Sequence, residues 1–357
     1  MYAVIMAGGK GARFWPRSTE ARPKHLLDIL SEKTILQETV ERISPIVSED
    51  KIIVVTNQIH AQEVKKQLPH LLSKNIITEP VGRNTAPCIG LAALHVMRDD
   101  PGNVMVVMPS DHFIGNRTEF ERVIADAVEV AEKESALVTI GIKPSRPDTG
   151  YGYLERGEAV AEITNSATYK VLSFREKPGL KEAENYLKTA NFFWNSGIFI
   201  WQASKIMSAI EVYMPELYKG LQEINRGICC EHEDIIKKKV YEQIQPVSID
   251  YGVLEKSSNV LMIEGDFNWS DVGSWDALWE ILDKDVNGNV TRGNVISVNS
   301  RNSFVIGSKK LVAIIDAEDL IVVETDDGVL ICKRGSSQHV KKIVETLAAR
   351  KESSFIG

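Results

Sequence analysis

The sequence contains no apolar run long enough to span a bilayer, and it begins without the basic stretch and apolar core of a secretory signal. It also lacks a surplus of positive charge, because 42 lysines and arginines stand against 49 aspartates and glutamates. Duplex binding depends on clustered basic side chains that displace counterions from the phosphates. We therefore expect a soluble, cytoplasmic protein that binds neither a membrane nor a nucleic acid.

Cysteine is scarce, and the four that occur are Cys88, Cys229, Cys230 and Cys332. They form no C-x-x-C pair, and the adjacent Cys229 and Cys230 cannot adopt ordinary disulfide geometry. Histidine is sparse and scattered, without pairs at metal-ligand spacing, so a zinc enzyme is not expected. We interpret the four cysteines as reduced, buried thiols.

What the sequence does contain is an alternation of short β-rich apolar runs with helical patterns in its first half. YAVIMA precedes TILQETVERI, KIIVVT precedes IHAQEVKKQL, and NVMVVMP precedes EFERVIADAVEVAEK. This alternation predicts an α/β fold with a parallel sheet flanked by helices. The strands at 52–55 and 104–108 are apolar enough to be buried on both faces, and ligands are expected at their carboxyl ends.

The pattern changes between residues 149 and 201, where YGYLERG, YKVLSFREKP and FFWNSGIFIW predict longer strands with few helices. We interpret this segment as an inserted mixed sheet that covers the ligand cleft. Helical patterns return over residues 204–243, and the segment over residues 269–282 ends in the polar turn DKDVNGN.

The length of 357 residues predicts two domains, and the polar turn DKDVNGN places a boundary near Asp283. We expect one domain over residues 1–283 and a small all-β domain over residues 284–357. The second contains NVISVNS, SFVIGS, LVAIIDA, LIVVETDD and VLICKRG, followed by the helical HVKKIVETLAAR. This spacing is typical of a small left-handed β-helix or a β-roll, whose exposed end suits self-association into a homodimer.

The first strand runs into Gly8-Gly9-Lys10-Gly11-Ala12-Arg13, and its glycines allow backbone N–H groups to approach phosphate oxygens closely. A dinucleotide-binding fingerprint is not matched, because the sixth position of G-x-G-x-x-G is Phe14, and no G-K-[ST] of a Walker loop occurs. Arg13 and Lys24 add two cations suited to the charges of a nucleoside triphosphate. The loop is therefore predicted to bind a triphosphate.

Asp111 follows the apolar strand NVMVVMP, so its carboxylate is expected at the C-terminal edge of the sheet. A Mg²⁺ ion that bridges phosphates would sit there, because Mg²⁺ is commonly held by one or two carboxylates together with phosphate oxygens. The structural alternative is an aspartate that caps the following turn.

Several sequence blocks resemble a known family. The pattern G-G-x-G-x-R-[LF]-x-P, from Gly8 to Pro16, and the later Pro23-Lys24 resemble the opening signature of the sugar-phosphate nucleotidyltransferases. Within that family the chain is similar to the mannose-1-phosphate guanylyltransferases through G-R-N-T-A-P from Gly82, P-S-D-H from Pro109, F-R-E-K-P from Phe174, N-S-G-I-F from Asn195 and W-S-D-V-G-S-W from Trp269. The blocks span residues 8 to 275.

The resemblance implies a Rossmann-like nucleotidyltransferase domain with a mixed central sheet, over residues 1–283. It implies the transfer of GMP from GTP to mannose 1-phosphate, which gives GDP-mannose and pyrophosphate, with Mg²⁺ as the cofactor. The tail looks like the linker-side region of longer bifunctional members. Because the sequence stops where their isomerase domain would begin, isomerase activity is not expected.

The resemblance also implies roles for individual residues. The implied catalytic residues are Arg13, Lys24, Asp111, Lys177 and Asp271, with Asp111 and Asp271 as metal ligands. The implied nucleotide-binding residues are Ala7, Gly8, Gly9, Gly11, Arg13, Lys24, Arg83, Asn84, Thr85 and Asp111. The implied sugar-phosphate-binding residues are Tyr151, Gly152, Glu176, Lys177, Asn195, Gly197 and Asp271. In this scheme guanine lies near residues 83–85, Glu176 accepts hydrogen bonds from sugar hydroxyls, and Lys177 binds the sugar phosphate.

Ordinary structural roles stay open for several of these residues. Asn84 before a first-turn proline is also typical of a helix N-cap. A bare E-K-P sequence on a loop is usually solvated charge, and Asp271 could be a carboxylate at a helix N-terminus. For the whole chain, one alternative is another nucleotide and sugar pair, such as glucose 1-phosphate with UTP or dTTP. The other is a catalytically silent homologue that binds a sugar nucleotide in a regulatory or scaffolding role.

Overall fold

The structure is a computed structural model that describes residues 1–9, 11–160, 163–228, 230–350, 352 and 355. The chain forms two compact units. Unit 1 consists of Met1–Gly8, Thr39–Ser110 and Ile114–Trp269, and unit 2 consists of Gly9–Glu38, Asp111–Phe113 and Ser270–Gly357. Among the described residues, no helix combines the length and the apolar character needed to cross a bilayer.

The secondary structure follows the alternation read from the sequence. The strands are β1 (Tyr2–Ala7), β2 (Ile52–Asn57), β3 (Ile76–Glu79), β4 (Val104–Pro109), β5 (Phe113–Ile114), β6 (Leu137–Ile142), β7 (Gly152–Ala159), β8 (Thr168–Glu176), β9 (Phe192–Gln202), β10 (Val260–Gly265), β11 (Trp269–Ser270), β12 (Val290–Val298), β13 (Phe304–Ile315), β14 (Leu320–Glu324) and β15 (Val329–Lys333). The α-helices are α1 (Ile35–Ile43), α2 (Ala61–Gln67), α3 (Thr85–Met97), α4 (Arg117–Glu134), α5 (Leu180–Thr189), α6 (Ala203–Tyr213), α7 (Pro215–Gly227), α8 (Glu233–Gln243), α9 (Trp275–Ile281) and α10 (Val340–Ala349).

Within its described residues, unit 1 is built on a nine-stranded mixed sheet with the order β3-β2-β1-β4-β9-β6-β10-β8-β7. Strands β1 to β4 pair in parallel, as the alternating pattern predicts. Residues 52–55 and 104–108 are buried, which confirms that these strands are covered on both faces. The carboxyl ends of the parallel strands therefore lead into the loops that carry predicted site residues.

The expectation of a separate inserted sheet over residues 149–201 is wrong. Strands β7, β8 and β9 belong to the main sheet, and β9 lies between β4 and β6, antiparallel to both. Its long apolar sequence FFWNSGIFIW explains this position, because Ile198, Phe199, Ile200 and Trp201 are all buried and so need cover on both faces.

Helices pack against the sheet to close the core of unit 1. Helix α3 is buried from Ala86 to Leu94 because nearly every position is apolar or small. Helices α6, α7 and α8 confirm the helical pattern over residues 204–243, and their buried residues join α3 in one hydrophobic cluster. This cluster fixes the loop that precedes α3.

Unit 2 contains the predicted β-helix-like tail. Strands β12, β13 and β14 pair in parallel, and β15 runs antiparallel to β14. Its core also includes residues from the glycine-rich segment near the chain start. The buried members are Phe14, Leu27, Ile29, Leu30, Ile35, Val272, Trp275, Leu278, Val290, Phe304, Ile306, Ile321, Val323, Leu330 and Val340. The tail thus supports the loop that carries Arg13 and Lys24.

Within residues 269–282, α9 covers Trp275–Ile281, because the Ser274 hydroxyl accepts a hydrogen bond from Ala277 N and begins the helix there. One local prediction needs correction. Of the cysteines interpreted as buried thiols, Cys88 is buried, but Cys230 is exposed and Cys332 is half-buried. All three are free, and Cys229 lies outside the described residues.

Candidate functional site

The residues predicted for the site fall into two groups, one in each unit. Unit 2 contains Gly9, Gly11, Arg13, Lys24, Asp111 and Asp271. Unit 1 contains Ala7, Gly8, Arg83, Asn84, Thr85, Tyr151, Gly152, Glu176, Lys177, Asn195 and Gly197.

Lys24 is the centre of the unit 2 group. Its Nζ lies 2.9 Å from Asp111 Oδ2 and donates a second hydrogen bond to the main-chain oxygen of Asp271. Only 7% of the Lys24 side chain is exposed, compared with 29% of the Asp111 side chain. The fold therefore joins a loop lysine with the two aspartates predicted as metal ligands. These contacts use two of the three donors of the ammonium group.

Electrostatics keeps Asp111 ionised. Burial by itself would raise the pKa of Asp111, but the charges of Lys24 and His112 and the hydrogen bond from Lys24 outweigh burial, and the pKa lies below its ordinary value. Because Asp111 also retains an exposed surface, it can offer carboxylate oxygens to a cation.

A glycine allows the glycine-rich loop to approach Lys24. Gly11 has a φ of 59°, and a Cβ at this position would lie 2.6 Å from Lys24 Cβ and 2.7 Å from Lys24 N. Any side chain would collide with backbone here, so the glycine is required by close approach as well as by its left-handed conformation. Gly9 has a φ of 97°, and a Cβ added there would meet no atom within 4 Å. Arg13, in the same loop, is exposed.

A metal ion could use the two aspartates without a larger protein cage. Among the described residues, no group of three or more His, Cys, Asp or Glu side chains is arranged to hold a metal. Mg²⁺ commonly needs only one or two carboxylates, since phosphates and waters complete its octahedral shell. Asp271 precedes α9 by several residues, and Asp276 is the acidic residue of the first turn, so the alternative of a helix N-terminal carboxylate is wrong for Asp271.

In unit 1, the loop before α3 is held by capping. Asn84 Oδ1 accepts a hydrogen bond from Thr85 N at 2.8 Å, which confirms the N-cap interpretation. Thr85 Oγ1 accepts a hydrogen bond from Ile249 N at 2.9 Å. Arg83 donates from Nε to Tyr241 O and from Nη2 to Glu242 O, at the end of α8. Contact of these residues with guanine stays a prediction.

Glu176 and Lys177 form an ion pair at the end of β8. Lys177 Nζ lies 2.8 Å from Glu176 Oε1, and the exposed fractions of the two side chains are 62% and 13%. Partial burial lowers the pKa of Lys177, but the hydrogen bond and charge of Glu176 more than offset this, so the pKa is raised overall. Gly152 lies opposite Glu176 in the sheet, and a Cβ there would be 2.5 Å from Glu176 Oε2. The glycine gives the carboxylate its space.

The backbone next to Gly152 is fixed by aromatic packing. The ring of Tyr151 contacts Trp194 and Trp269 with centroid distances of 5.0 and 5.2 Å. Tyr151 O accepts a hydrogen bond from Lys177 N, and Lys177 has a positive φ of 49°. Because the Tyr151 side chain is buried, this residue can approach a sugar only with its backbone or phenol edge.

Asn195 joins the ion pair region to a residue that the sequence did not indicate. Its Nδ2 donates to Asp250 Oδ1 at 3.0 Å, while its Oδ1 accepts from Thr139 Oγ1 at 2.9 Å. Gly197, with a φ of 72°, lies two residues further along the strand. Asp250 had no sequence signal, because it belongs to neither a strand end nor a glycine-rich loop.

Comparison with known proteins agrees with this fold. Residues 2–288 match the Nucleotidyl transferase family, and residues 293–347 match the MannoseP isomerase/GMP-like beta-helix domain. The chain therefore belongs to the nucleotidyl transferase family.

Within that family its relatives carry a more specific name. A mannose-1-phosphate guanylyltransferase of Klebsiella pneumoniae is 41% identical over 358 residues, which cover 99% of this chain and 75% of that protein. The enzyme of the same name from Escherichia coli K12 is 38% identical, with 98% of this chain and 74% of that protein covered.

Solved structures support the same architecture. A Thermus thermophilus protein described as a mannose-1-phosphate geranyltransferase superposes with a TM-score of 0.87 at 29% identity, and the match covers 97% of this chain and 99% of that one. A Helicobacter pylori protein described as a mannose-6-phosphate isomerase superposes with a TM-score of 0.61 at 24% identity, over 76% of this chain and 100% of that one. The second similarity shows the fold alone.

Proposed function

We propose that this protein transfers GMP from GTP to mannose 1-phosphate, giving GDP-mannose and pyrophosphate. The observation that carries the proposal is the similarity, over nearly the full chain, to proteins named mannose-1-phosphate guanylyltransferase. The nucleophile is an oxygen of the sugar phosphate, which attacks the α-phosphorus of GTP in line with the departing pyrophosphate. Because this oxygen is already anionic, the reaction needs positioning and charge neutralisation rather than a general base.

The unit 2 group suits the triphosphate. Gly9 and Gly11 would present backbone N–H groups to phosphate oxygens. The same role is proposed for Ala7 and Gly8, which belong to unit 1 at the end of β1. Lys24 has a third ammonium donor for a phosphate, and the exposed Arg13 would supply a second charge. The ionised carboxylate of Asp111, together with the Asp271 side chain, would provide oxygen ligands of the kind that suits Mg²⁺. When bound, Mg²⁺ would neutralise charge on the phosphates.

The unit 1 group suits the sugar phosphate and the base. Lys177 would bind the 1-phosphate, and Glu176, which Gly152 leaves uncovered, would accept hydrogen bonds from sugar hydroxyls. Asn195, Gly197 and the Tyr151 backbone would border the sugar. Asn84 and Thr85 would face guanine, with Arg83 acting mainly on the loop, because two of its nitrogens already bind backbone oxygens.

An assay of pyrophosphate release tests the proposal directly. Purified protein would be incubated with Mg²⁺, each of four NTPs and several sugar 1-phosphates, including those of mannose and glucose. We expect the highest kcat/KM with GTP and mannose 1-phosphate. A preference for UTP or dTTP with glucose 1-phosphate would identify the alternative sugar nucleotide, whereas binding of GDP-mannose without any turnover would identify a silent homologue.

We also propose a homodimer formed through the β-helix. Residues 295–298 of β12 pair with residues 312–315 of β13, whereas β14 pairs only with the first part of β13. This two-stranded segment, here called the exposed ribbon, leaves apolar side chains open to solvent. Ile296, Val298 and Ile315 are 50%, 43% and 68% exposed. A second copy would cover both the apolar side chains and the unpaired strand edge.

Two further proposals concern organisation and location. A domain boundary near Asp283 is supported by the two family matches, because the first ends at residue 288 and the second begins at residue 293. A cytoplasmic location is supported by the free thiols of Cys88, Cys230 and Cys332, since reduced cysteines are usual in that compartment.

A further inference from the structure

Asp250 begins a short π-helical turn, Asp250–Leu254, directly after the segment that contacts the loop before α3. Such turns are rare, and they occur frequently at functional sites. The backbone before Asp250 is held in place, because Ile249 N donates to Thr85 Oγ1. A fixed backbone makes the position of the Asp250 carboxyl group well defined.

The Asp250 carboxyl group determines how the Asn195 amide is oriented. Thr139 Oγ1 lies 2.9 Å from Asn195 Oδ1 and 3.2 Å from Ile198 O, and its single proton can go to either oxygen. The Gly197 N–H can only donate, and it points to Asn195 Oδ1 at 3.4 Å. Asn195 Nδ2 must therefore face an acceptor, and Asp250 Oδ1 provides it at 3.0 Å. Without this acceptor, a half-buried amide nitrogen would lose its partner, and the amide could turn.

Asp250 also determines the charge of the same small region. The groups that face it are Glu176 and Lys177 at the end of β8, Asn195 on β9 and Ser248 on its own segment. Burial and then the negative charge of Glu176 raise the pKa of Asp250 to about 7. Below this pH the Glu176–Lys177 pair therefore has an uncharged neighbour, and above it a second carboxylate is present.

We propose that Asp250 is a positioning residue for the sugar 1-phosphate, which holds the Asn195 amide in one orientation beside the Glu176–Lys177 ion pair. This inference rests on the proposed function, because it assumes that a sugar phosphate binds next to Lys177. Asp250 acts through Asn195 and through local charge, and it takes no part in bond making.

Two substitutions separate these effects. Asp250→Ala removes the acceptor, whereas Asp250→Asn keeps an oxygen for Asn195 Nδ2 but can never become negative. Glu255→Gln is the matched control. Glu255 is also a carboxylate whose pKa is raised, by partial desolvation and by the charge of Glu176. It is exposed, and in the described structure it makes no hydrogen bond to Asn195. Kinetic constants for mannose 1-phosphate and for GTP would be measured, with calorimetry of mannose 1-phosphate binding and thermal melts of each variant.

We expect Asp250→Ala to raise the KM for mannose 1-phosphate roughly tenfold or more. A factor of this size is expected when a polar group away from solvent, here the Asn195 amide nitrogen, loses its hydrogen-bond partner. The KM for GTP should change less than roughly twofold, and Asp250→Asn should restore most of the affinity for the sugar phosphate at pH 6. An unchanged sugar phosphate KM in a folded Asp250→Ala variant would overturn the inference. So would an Asp250→Asn variant that is folded but as defective as Asp250→Ala.

The pH dependence provides a second test. As pH rises through about 7, wild-type Asp250 becomes negative and opposes the phosphate dianion, so the KM ratio of wild type to Asp250→Asn should rise. We expect an increase of roughly fivefold between pH 6 and pH 8.5, which corresponds to the repulsion of about 1 kcal/mol between two charges about 4 Å apart that are screened as in bulk water. The ratio cancels ionisation of the substrate itself. A flat ratio would contradict the charge effect, and a wild type that binds no mannose 1-phosphate at all would instead remove the proposed function.

Discussion

Lys24 shows how a single residue prepares the proposed phosphate site. A charge with so little exposure is costly unless it is paired, and Lys24 is paired with Asp111 and with the Asp271 main-chain oxygen. The ammonium group is therefore held in one place before any nucleotide arrives. Such preorganisation reduces the rearrangement required during the reaction.

Substitution of Asp111 tests the charge balance of this group. Asp111→Asn keeps an oxygen that can accept from Lys24 Nζ, so the protein should fold with only a small loss of melting temperature. Turnover should fall by about 1000-fold, because the proposed Mg²⁺ ion would lose a charged ligand. Asp266→Asn, which changes an exposed aspartate, is the control. Near-normal turnover of Asp111→Asn at saturating Mg²⁺ would rule out the metal role.

The glycine-rich loop offers a second test at the residue scale. Gly11→Ala should lower the free energy of unfolding by about 1 to 3 kcal/mol, since its Cβ would collide with the Lys24 backbone at a positive φ. Gly8→Ala is the matched control in the same loop, because a Cβ there meets nothing within 4 Å. Chemical denaturation of the ligand-free proteins would measure both. Equal stability of the two variants would mean that the approach of Gly11 to Lys24 is not required.

At the scale of elements, the loop before α3 depends on a distant helix. Arg83 binds two of the terminal carbonyl oxygens of α8, where a cation also interacts favourably with the helix dipole. Thr85 receives the hydrogen bond from Ile249 beyond that helix. The segment from α8 to Asp250 therefore supports both the loop predicted for guanine and the Asn195 amide.

Arg83→Ala should consequently affect stability as well as nucleotide binding. We expect a loss of about 1 to 2 kcal/mol in the free energy of unfolding, because two charge-assisted hydrogen bonds to a half-exposed site disappear. Arg98→Ala, which removes a cation just after α3, provides a comparison. If Arg83→Ala weakens GTP binding while the unfolding free energy is unchanged, the arginine acts on the nucleotide directly and the capping role is minor.

Local sequence patterns predicted most helices and strands, but they did not predict which elements lie next to each other in the fold. The apolar sequence of β9 correctly indicated a strand, yet its place between β4 and β6 depends on pairing with residues far away in the chain. Likewise, Lys24 and Asp111 each had a local signal, whereas their ion pair required the fold. Asp250 had no signal at all, because a π-helical turn follows from surrounding packing rather than from a periodic pattern.

At the scale of the molecule, the exposed ribbon can be tested for self-association. Ile315→Lys should yield a monomer, since a charge would be placed in a contact that depends on apolar burial. Val286→Lys is the control, as Val286 is fully exposed in the same unit but outside the ribbon. Light scattering after gel filtration would give the molar mass. A wild type that is already monomeric, or an Ile315→Lys protein that remains dimeric, would refute an interface at the ribbon.

Unit 2 is assembled from stretches that are far apart in the chain, and this has a consequence during synthesis. Phe14 and Leu27 share a core with Phe304 and Ile321, so the segment that carries Lys24 cannot reach its final surroundings until the ribosome has made the tail. With roughly 300 residues between them, the wait is roughly 15 to 60 s at ordinary elongation rates. Through that interval the glycine-rich loop remains without its core, and the surroundings of Lys24 are completed only once the tail has been made.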